Sequence, residues 1–302
     1  MTRNPGGVTW PEPVDRALDA FTPSTADTRA IVGVIDTGVV VIDGPHERIS
    51  PCLDRLSLFE ENQDQLPPDG DLALADGHGT FVIGRILREA GDVVVMSRRA
   101  VDTEKNGDDK LVARHLTYFA GLDPVQRPQV VNLSFYGVES AAPTEIGDAL
   151  LTLLDAAPDV VVVTSAGNRW TDEPPWPAAF HRDLKRHGER VVAVGAVDTS
   201  ILRPLGESTP PRASFSNTWP RIQLWAPGVR VLGPHVRYVD NRYQFCSAVW
   251  SGTSFAAATV TGRLAAGVRD GWTAPDVLAG LVSEGAPPGP SRSPPRRPRR
   301  RR

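Results

Sequence analysis

The sequence predicts an α/β protein built on a doubly wound, mainly parallel β-sheet flanked by helices. Two observations carry this. Short runs rich in Val and Ile, polar only at their ends, read as strands buried on both faces. Between them lie longer segments with helical periodicity, and strand–helix alternation is the pattern of a parallel sheet with crossover helices. The first strand is predicted over Ala30–Ile35, followed by a helix over Gly79–Glu89 and a strand over Asp92–Met96. A helix over Leu111–Gly121 precedes a strand at Gln129–Leu133, and a helix over Thr144–Ala156 precedes one at Val160–Thr164. A strand at Arg190–Val194 and two helices, Ser254–Val268 and Ala274–Ser283, complete the series. In such sheets reactive groups gather at the carboxyl ends of the strands.

No internal repeat or linker interrupts this series, so residues 29–284 are expected to form one domain. Residues 1–28, rich in Pro, Thr and charge, read as an N-terminal arm. Residues 285–302, GAPPGPSRSPPRRPRRRR, offer nothing apolar to bury and are expected to be a disordered basic tail. The formal net charge of -3 conceals that tail; without its seven arginines the rest of the chain stands at about -10. An acidic body argues against nucleic acid as the main partner. The N-terminus has no continuous apolar core of a signal peptide, and no run approaches the length of a membrane span, so a cytoplasmic protein is expected. Cys52 and Cys246 are the only cysteines, and two free thiols fit that setting better than a disulfide.

Four residues stand where chemistry would be done. Asp36 ends the run IVGVI and precedes Thr37-Gly38, which places a carboxylate at a strand's carboxyl end. Alone it is more often a turn residue or helix cap, and D-T-G also occurs in aspartic peptidases. His78 lies between glycines in DGHGT, just before an apolar helix, where it could equally cap that helix. Ser254, in SGTSFAAA, falls in the first turn of an Ala-rich helix, where free N–H groups and the helix dipole favour negative charge; an N-cap serine is the ordinary alternative. Asn168 ends VVVTSAGN with an amide able to donate two hydrogen bonds, though a loop asparagine is commoner. No H-x-x-x-H or C-x-x-C pair appears, so a zinc site is not expected. The ordinary readings fail jointly: nucleophile, base, orienting acid and oxyanion donor all occur, in the order Asp, His, Asn, Ser.

The successive segments VIDTGV, DGHGTFVIGRI, VVNLSFYG, VVVTSAGN, ASFSNTW, LWAPGV and SGTSFAAATVTG, spanning Ile31 to Gly262, resemble the motifs of the subtilisin-like (S8) serine peptidases in their family order. The resemblance implies a subtilisin-like fold and a serine endopeptidase. His78 would take the proton of Ser254, Asp36 would orient His78, and the Asn168 side chain with the Ser254 N–H would hold the oxyanion. A peptide or protein substrate would lie extended along Ser134, Phe135 and Tyr136 and along Ser165, Ala166 and Gly167 as an added strand. No cofactor is required, and no calcium loop of the usual kind is evident, although acidic loops such as Asp102–Asp109 carry suitable ligand chemistry.

The chain departs from the family pattern in several places. Ala258 stands where the helix after the nucleophile usually has Pro, and Tyr136 where a Gly is usual; Pro175 and Trp176, after the Asn168 loop, are expected to crowd the same pocket. Narrow specificity is therefore expected. Phe81 replaces a second histidine on a buried helix face. The resemblance implies a signal peptide and a folding propeptide, and the 30 residues before Ile31 are expected to be too few for both, so that either the enzyme folds unassisted or those parts lie outside this sequence. Asp102, Glu104, Asp108 and Asp109 read first as a solvated acidic turn; lining the cleft, they would attract basic residues, and the Arg-rich tail would then dock there as a self-inhibitor or meet a regulatory partner. Two rival readings stand beside the peptidase: a catalytically weak protein that mainly binds a peptide or partner, and an aspartic peptidase, for which a second D-T-G is missing.

Overall fold

The structure, a computed structural model, describes residues 11–14, 30–41, 64, 66–73, 75–101, 107–137, 142–184, 186–200 and 210–283. The basic tail, Cys52 and residues 102–106 of the acidic loop lie outside the described residues.

Among the described residues nine strands and six α-helices follow in chain order: β1 (Glu12–Val14), β2 (Ala30–Asp36), α1 (His78–Ala90), β3 (Val93–Arg99), α2 (Asp109–Gly121), β4 (Val130–Leu133), α3 (Thr144–Ala156), β5 (Val161–Ser165), α4 (Phe180–Asp183), β6 (Val191–Val197), β7 (Leu224–Pro227), β8 (Val231–Val239), β9 (Arg242–Trp250), α5 (Thr253–Arg269) and α6 (Ala274–Ser283). Six strands form one parallel sheet in the order β3-β2-β4-β5-β6-β7. Its residues explain it: Val161, Val162 and Val163 are fully buried, as are Val191 to Val194, so both faces of the central strands are covered. On one face α2 and α3 pack through Leu116, Phe119, Leu150 and Leu153. On the other, α1 and α5 pack through Phe81, Ile83, Ile86 and Phe255.

The chain runs from β2 outward to β3 and then back across β2 to β4. The carboxyl ends of β2 and β4 are thus the topological switch point, where a crevice opens between strands. Every sequence-predicted strand and helix is present, with ends moved by up to three residues.

Three strands, β1, β8 and β9, form a separate antiparallel sheet that the periodicity did not reveal. Gly233, Pro234 and His235 break the apolar pattern of β8, while Asp240 and Asn241, both with positive φ, make the tight turn to β9. Part of the N-terminal arm joins this sheet, since Glu12–Val14 pairs with Ser247–Val249. The sheet packs on α1 and delivers Trp250 to the start of α5.

Candidate active site

Asp36 ends β2 at the switch point and is 1 % exposed. Its Oδ1 accepts a 2.8 Å bond from the Thr37 N–H and lies 2.7 Å from His78 Nδ1. With Nδ1–H donating to the carboxylate, neutral His78 keeps its lone pair on Nε2. His78 opens α1, and this first turn lies so close to the turn after Asp36 that a Cβ on Gly79 would sit 2.2 Å from the Gly38 carbonyl oxygen. Only glycine allows that approach. The imidazole is held edge-on to Trp250, centroids 5.5 Å apart, and against Phe255, also at 5.5 Å.

Phe255 follows Ser254 in the first turn of α5, so the same contact sets that turn against the ring. Ser254 Oγ donates to the Ser134 carbonyl (2.8 Å), and the Ser134 hydroxyl donates back to the Ser254 carbonyl (3.1 Å). The hydroxyl is therefore engaged with Ser134 rather than with His78. The helix runs unbroken from Thr253 to Arg269 through a fully buried Ala258, and a fully buried Phe81 packs on Phe255 at 4.6 Å.

Asn168 follows β5. Its Oδ1 accepts from both the N–H and the hydroxyl of Thr253, each at 2.8 Å. The hydroxyl of Thr253 in turn accepts from the Gly167 N–H at 3.2 Å. With the carbonyl side fixed, the Asn168 amide Nδ2 is left to donate towards the start of α5, beside Gly252. The four candidate residues thus converge on one crevice.

The six residues expected to bind substrate are not equivalent. Phe135 and Tyr136 are partly exposed, whereas Ser165 and Ala166 are fully buried, the Ala166 N–H bonded to the Val194 carbonyl at 2.9 Å. Ser165 donates its hydroxyl to the Phe135 carbonyl at 3.3 Å. Ser165 and Ala166, with a buried Ser134, therefore wall the crevice, while Phe135 and Tyr136 form its open rail.

Supporting residues escaped sequence reasoning. Asn217 accepts from the N–H groups of Arg169 (2.8 Å) and Thr171 (3.3 Å) and donates its own N–H to the Gly167 carbonyl (3.0 Å), which fixes the loop around Asn168. Like Thr253, it lies inside a motif already quoted. Asp64 has no such signal: it accepts from the Thr37 hydroxyl (3.0 Å) and the Gly77 N–H (2.8 Å), clasping the turn of Asp36 to the turn of His78. Burial, reinforced by nearby Asp76 and Asp36, pushes its carboxyl up to about 7. Burial pushes the Asp76 carboxyl up as well, and it pushes His235, beside His78, down to about 4, so that His235 is neutral at physiological pH. Asp108 of the acidic turn caps α2 by accepting from Lys110 and Leu111 N–H. Among the described residues no group of three or more His, Cys, Asp or Glu is placed to hold a metal ion.

The match to known proteins accords with this arrangement. The model of the Subtilase family (peptidase S8) matches residues 27–286. The chain belongs to the subtilase family. Over 240 residues this subtilase is 29 % identical to the extracellular serine proteinase of Thermus sp. (strain Rt41A), covering 77 % of this chain and 48 % of that protein. It is 27 % identical over 251 residues to subtilisin DY of Bacillus licheniformis, covering 78 % and 74 %. The chain spans about half the length of several of the curated relatives it matches, the Thermus protein among them. A solved cold adapted subtilisin-like serine proteinase shares the fold, with a TM-score of 0.58 at 24 % identity over 90 % of this chain and 86 % of that one.

Proposed function

We propose that this subtilase is a serine endopeptidase of restricted specificity, hydrolysing peptide bonds through Asp36, His78 and Ser254. The observation that carries the reading is the 2.7 Å contact of His78 Nδ1 with a buried Asp36 carboxylate, because it fixes the tautomer that a general base requires.

In this mechanism the Ser254 hydroxyl leaves the Ser134 carbonyl and turns to His78 Nε2. It attacks the scissile carbonyl carbon as Nε2 takes its proton. Negative charge develops on the carbonyl oxygen, and the Asn168 Nδ2–H and Ser254 N–H donate to it. Asp36 stabilises the imidazolium, which then protonates the leaving amine as the C–N bond breaks. Water, deprotonated by the same Nε2, attacks the acyl-enzyme ester and regenerates Ser254.

A second reading, peptide binding without turnover, draws on the engagement of Ser254 with Ser134 and on Tyr136 beside the crevice. Labelling with a fluorophosphonate probe, wild type against Ser254→Ala, separates the two. Labelling abolished by the substitution is the expected result. A folded wild type that takes no label overturns the peptidase reading.

A further inference from the structure

Tyr136 stands two residues beyond Ser134, on the open rail of the crevice. Ser134 touches the nucleophile on one side, and Asn168 carries the oxyanion amide on the other. A carbonyl attacked by Ser254 lies between them. The substrate residue that supplies this carbonyl therefore has its side chain next to any group joining the segment after β4 to the segment after β5.

Three connections join those segments in sequence. At the first, the Ser165 hydroxyl donates to the Phe135 carbonyl at 3.3 Å. At the third, the Gly137 N–H donates to the Trp176 carbonyl at 2.8 Å, and Trp176 is itself buried against Phe180, centroids 4.7 Å apart. Between them the link is a side chain. The Tyr136 phenol reaches across to the Asn168 backbone N–H, with the Arg169 guanidinium near enough to act on it, and burial pushes its ionisation upward. The backbone on both sides of residue 136 is tied down, so the ring has no freedom to leave by moving the chain. It yields space only by changing rotamer, which gives up its burial and its contact with Asn168.

We infer that Tyr136 is the specificity-determining residue of this site, filling the space beside the scissile carbonyl so that the substrate residue donating that carbonyl is glycine or alanine. The inference rests on the peptidase reading and deepens it. A crossing ring leaves room for a hydrogen or a methyl group, while leucine or phenylalanine must displace the ring before it binds. Arg169 is exposed and adjacent, so it adds no room.

The test uses succinyl-Ala-Ala-Xaa p-nitroanilides with Xaa as Gly, Ala, Leu or Phe, on wild type, Tyr136→Gly, Tyr136→Phe and Ser254→Ala. Active sites are titrated with a fluorophosphonate. The readout is the ratio of kcat/KM for Phe to that for Ala within one preparation, which is independent of how much of a variant folds. Wild type is expected to favour Ala by about a hundredfold, Tyr136→Gly to raise the Phe-to-Ala ratio by a similar factor, and Tyr136→Phe to keep the wild-type ratio. Wild type that is labelled and cleaves Phe as readily as Ala overturns the size limit and leaves the peptidase reading standing. A Tyr136→Phe variant that behaves like Tyr136→Gly overturns it too, since the hydroxyl rather than the ring would then set the preference. Absence of label and of cleavage in both wild type and Tyr136→Gly removes the peptidase reading, and this inference with it.

Discussion

Replacing Asp64 by Asn tests whether the clasp beneath the candidate triad is a strained carboxylate or a neutral bridge. Asp64 is 7 % exposed, accepts from Thr37 and Gly77, and donates its N–H to the Val39 carbonyl at 2.9 Å. Its carboxyl titrates near 7 in the folded protein, against an ordinary 3.8. In the unfolded chain the proton leaves near the ordinary value. Between about pH 4 and 7 the native state therefore binds more protons than the unfolded state, and stability falls as pH rises. At about 1.4 kcal/mol per pH unit, the accumulated cost reaches roughly 4 kcal/mol above pH 7 and vanishes below pH 4. Asparagine keeps an oxygen for both bonds and carries no charge to desolvate. Asp64→Asn is expected to match or fall slightly below the parent at pH 4, then to gain on it steadily up to pH 7 and hold that lead at pH 8.5. Urea unfolding at pH 4, 5.5, 7 and 8.5 measures this, in a Ser254→Ala background so that self-digestion plays no part. A difference between Asp64→Asn and its parent that stays constant across that range would refute the reasoning, because it would mean the carboxyl ionises alike in both states.

Two further expectations follow from the geometry around Ser254. Asn168→Ala should lower kcat by about 10²–10³ with little change in KM, a figure carried over from the same donor in subtilisin; an equal fall in substrate binding would show that Asn168 holds the ground state instead. Gly262→Ala should destabilise the fold by about 1–3 kcal/mol, because the new Cβ would lie 2.7 Å from the Ile86 carbonyl oxygen and 2.5 Å from the Glu89 Cβ, outweighing the gain in helix propensity of about 1 kcal/mol. It should also slow fluorophosphonate labelling, since α1 and α5, which that contact holds together, begin at His78 and beside Ser254; thermal melting with unchanged labelling kinetics would separate the helix crossing from the site.

The fold was legible where one physical effect dominates. Strands β2 to β6 lie between two covering layers, so each is a short apolar run, and α2 and α3 show their period because one face of each meets the sheet. The antiparallel sheet was hidden because β8 and β9 are covered unevenly: Arg237 is exposed while Val236, one residue away, is buried, and Pro234 fits against Gly84 rather than facing a core. Its one local signal was the turn at Asp240-Asn241, whose positive φ values suit those two residue types.

The candidate site divides along the same line. Asp36, His78, Asn168 and Ser254 stood out because each is a reactive side chain set among small residues, and the small residues have a reason in the structure: Gly79 lets two turns meet, and Thr253 fits beneath Asn168. Asp64 and Trp250 act from a distance. Asp64 belongs to a polar stretch of changing character, and nothing within that stretch says that Thr37 and Gly77 will close around it. Trp250 ends a strand that the sequence pattern concealed, and only the packing of that strand on α1 sets its ring edge-on to His78. Reactive groups announce themselves through their immediate neighbours, whereas the residues that hold them in register are defined by contacts made after folding. That difference explains why Tyr136 was visible as an odd residue in a familiar segment, yet the two hydrogen bonds that tie the backbone on either side of it to the segment after β5 emerged only from the structure.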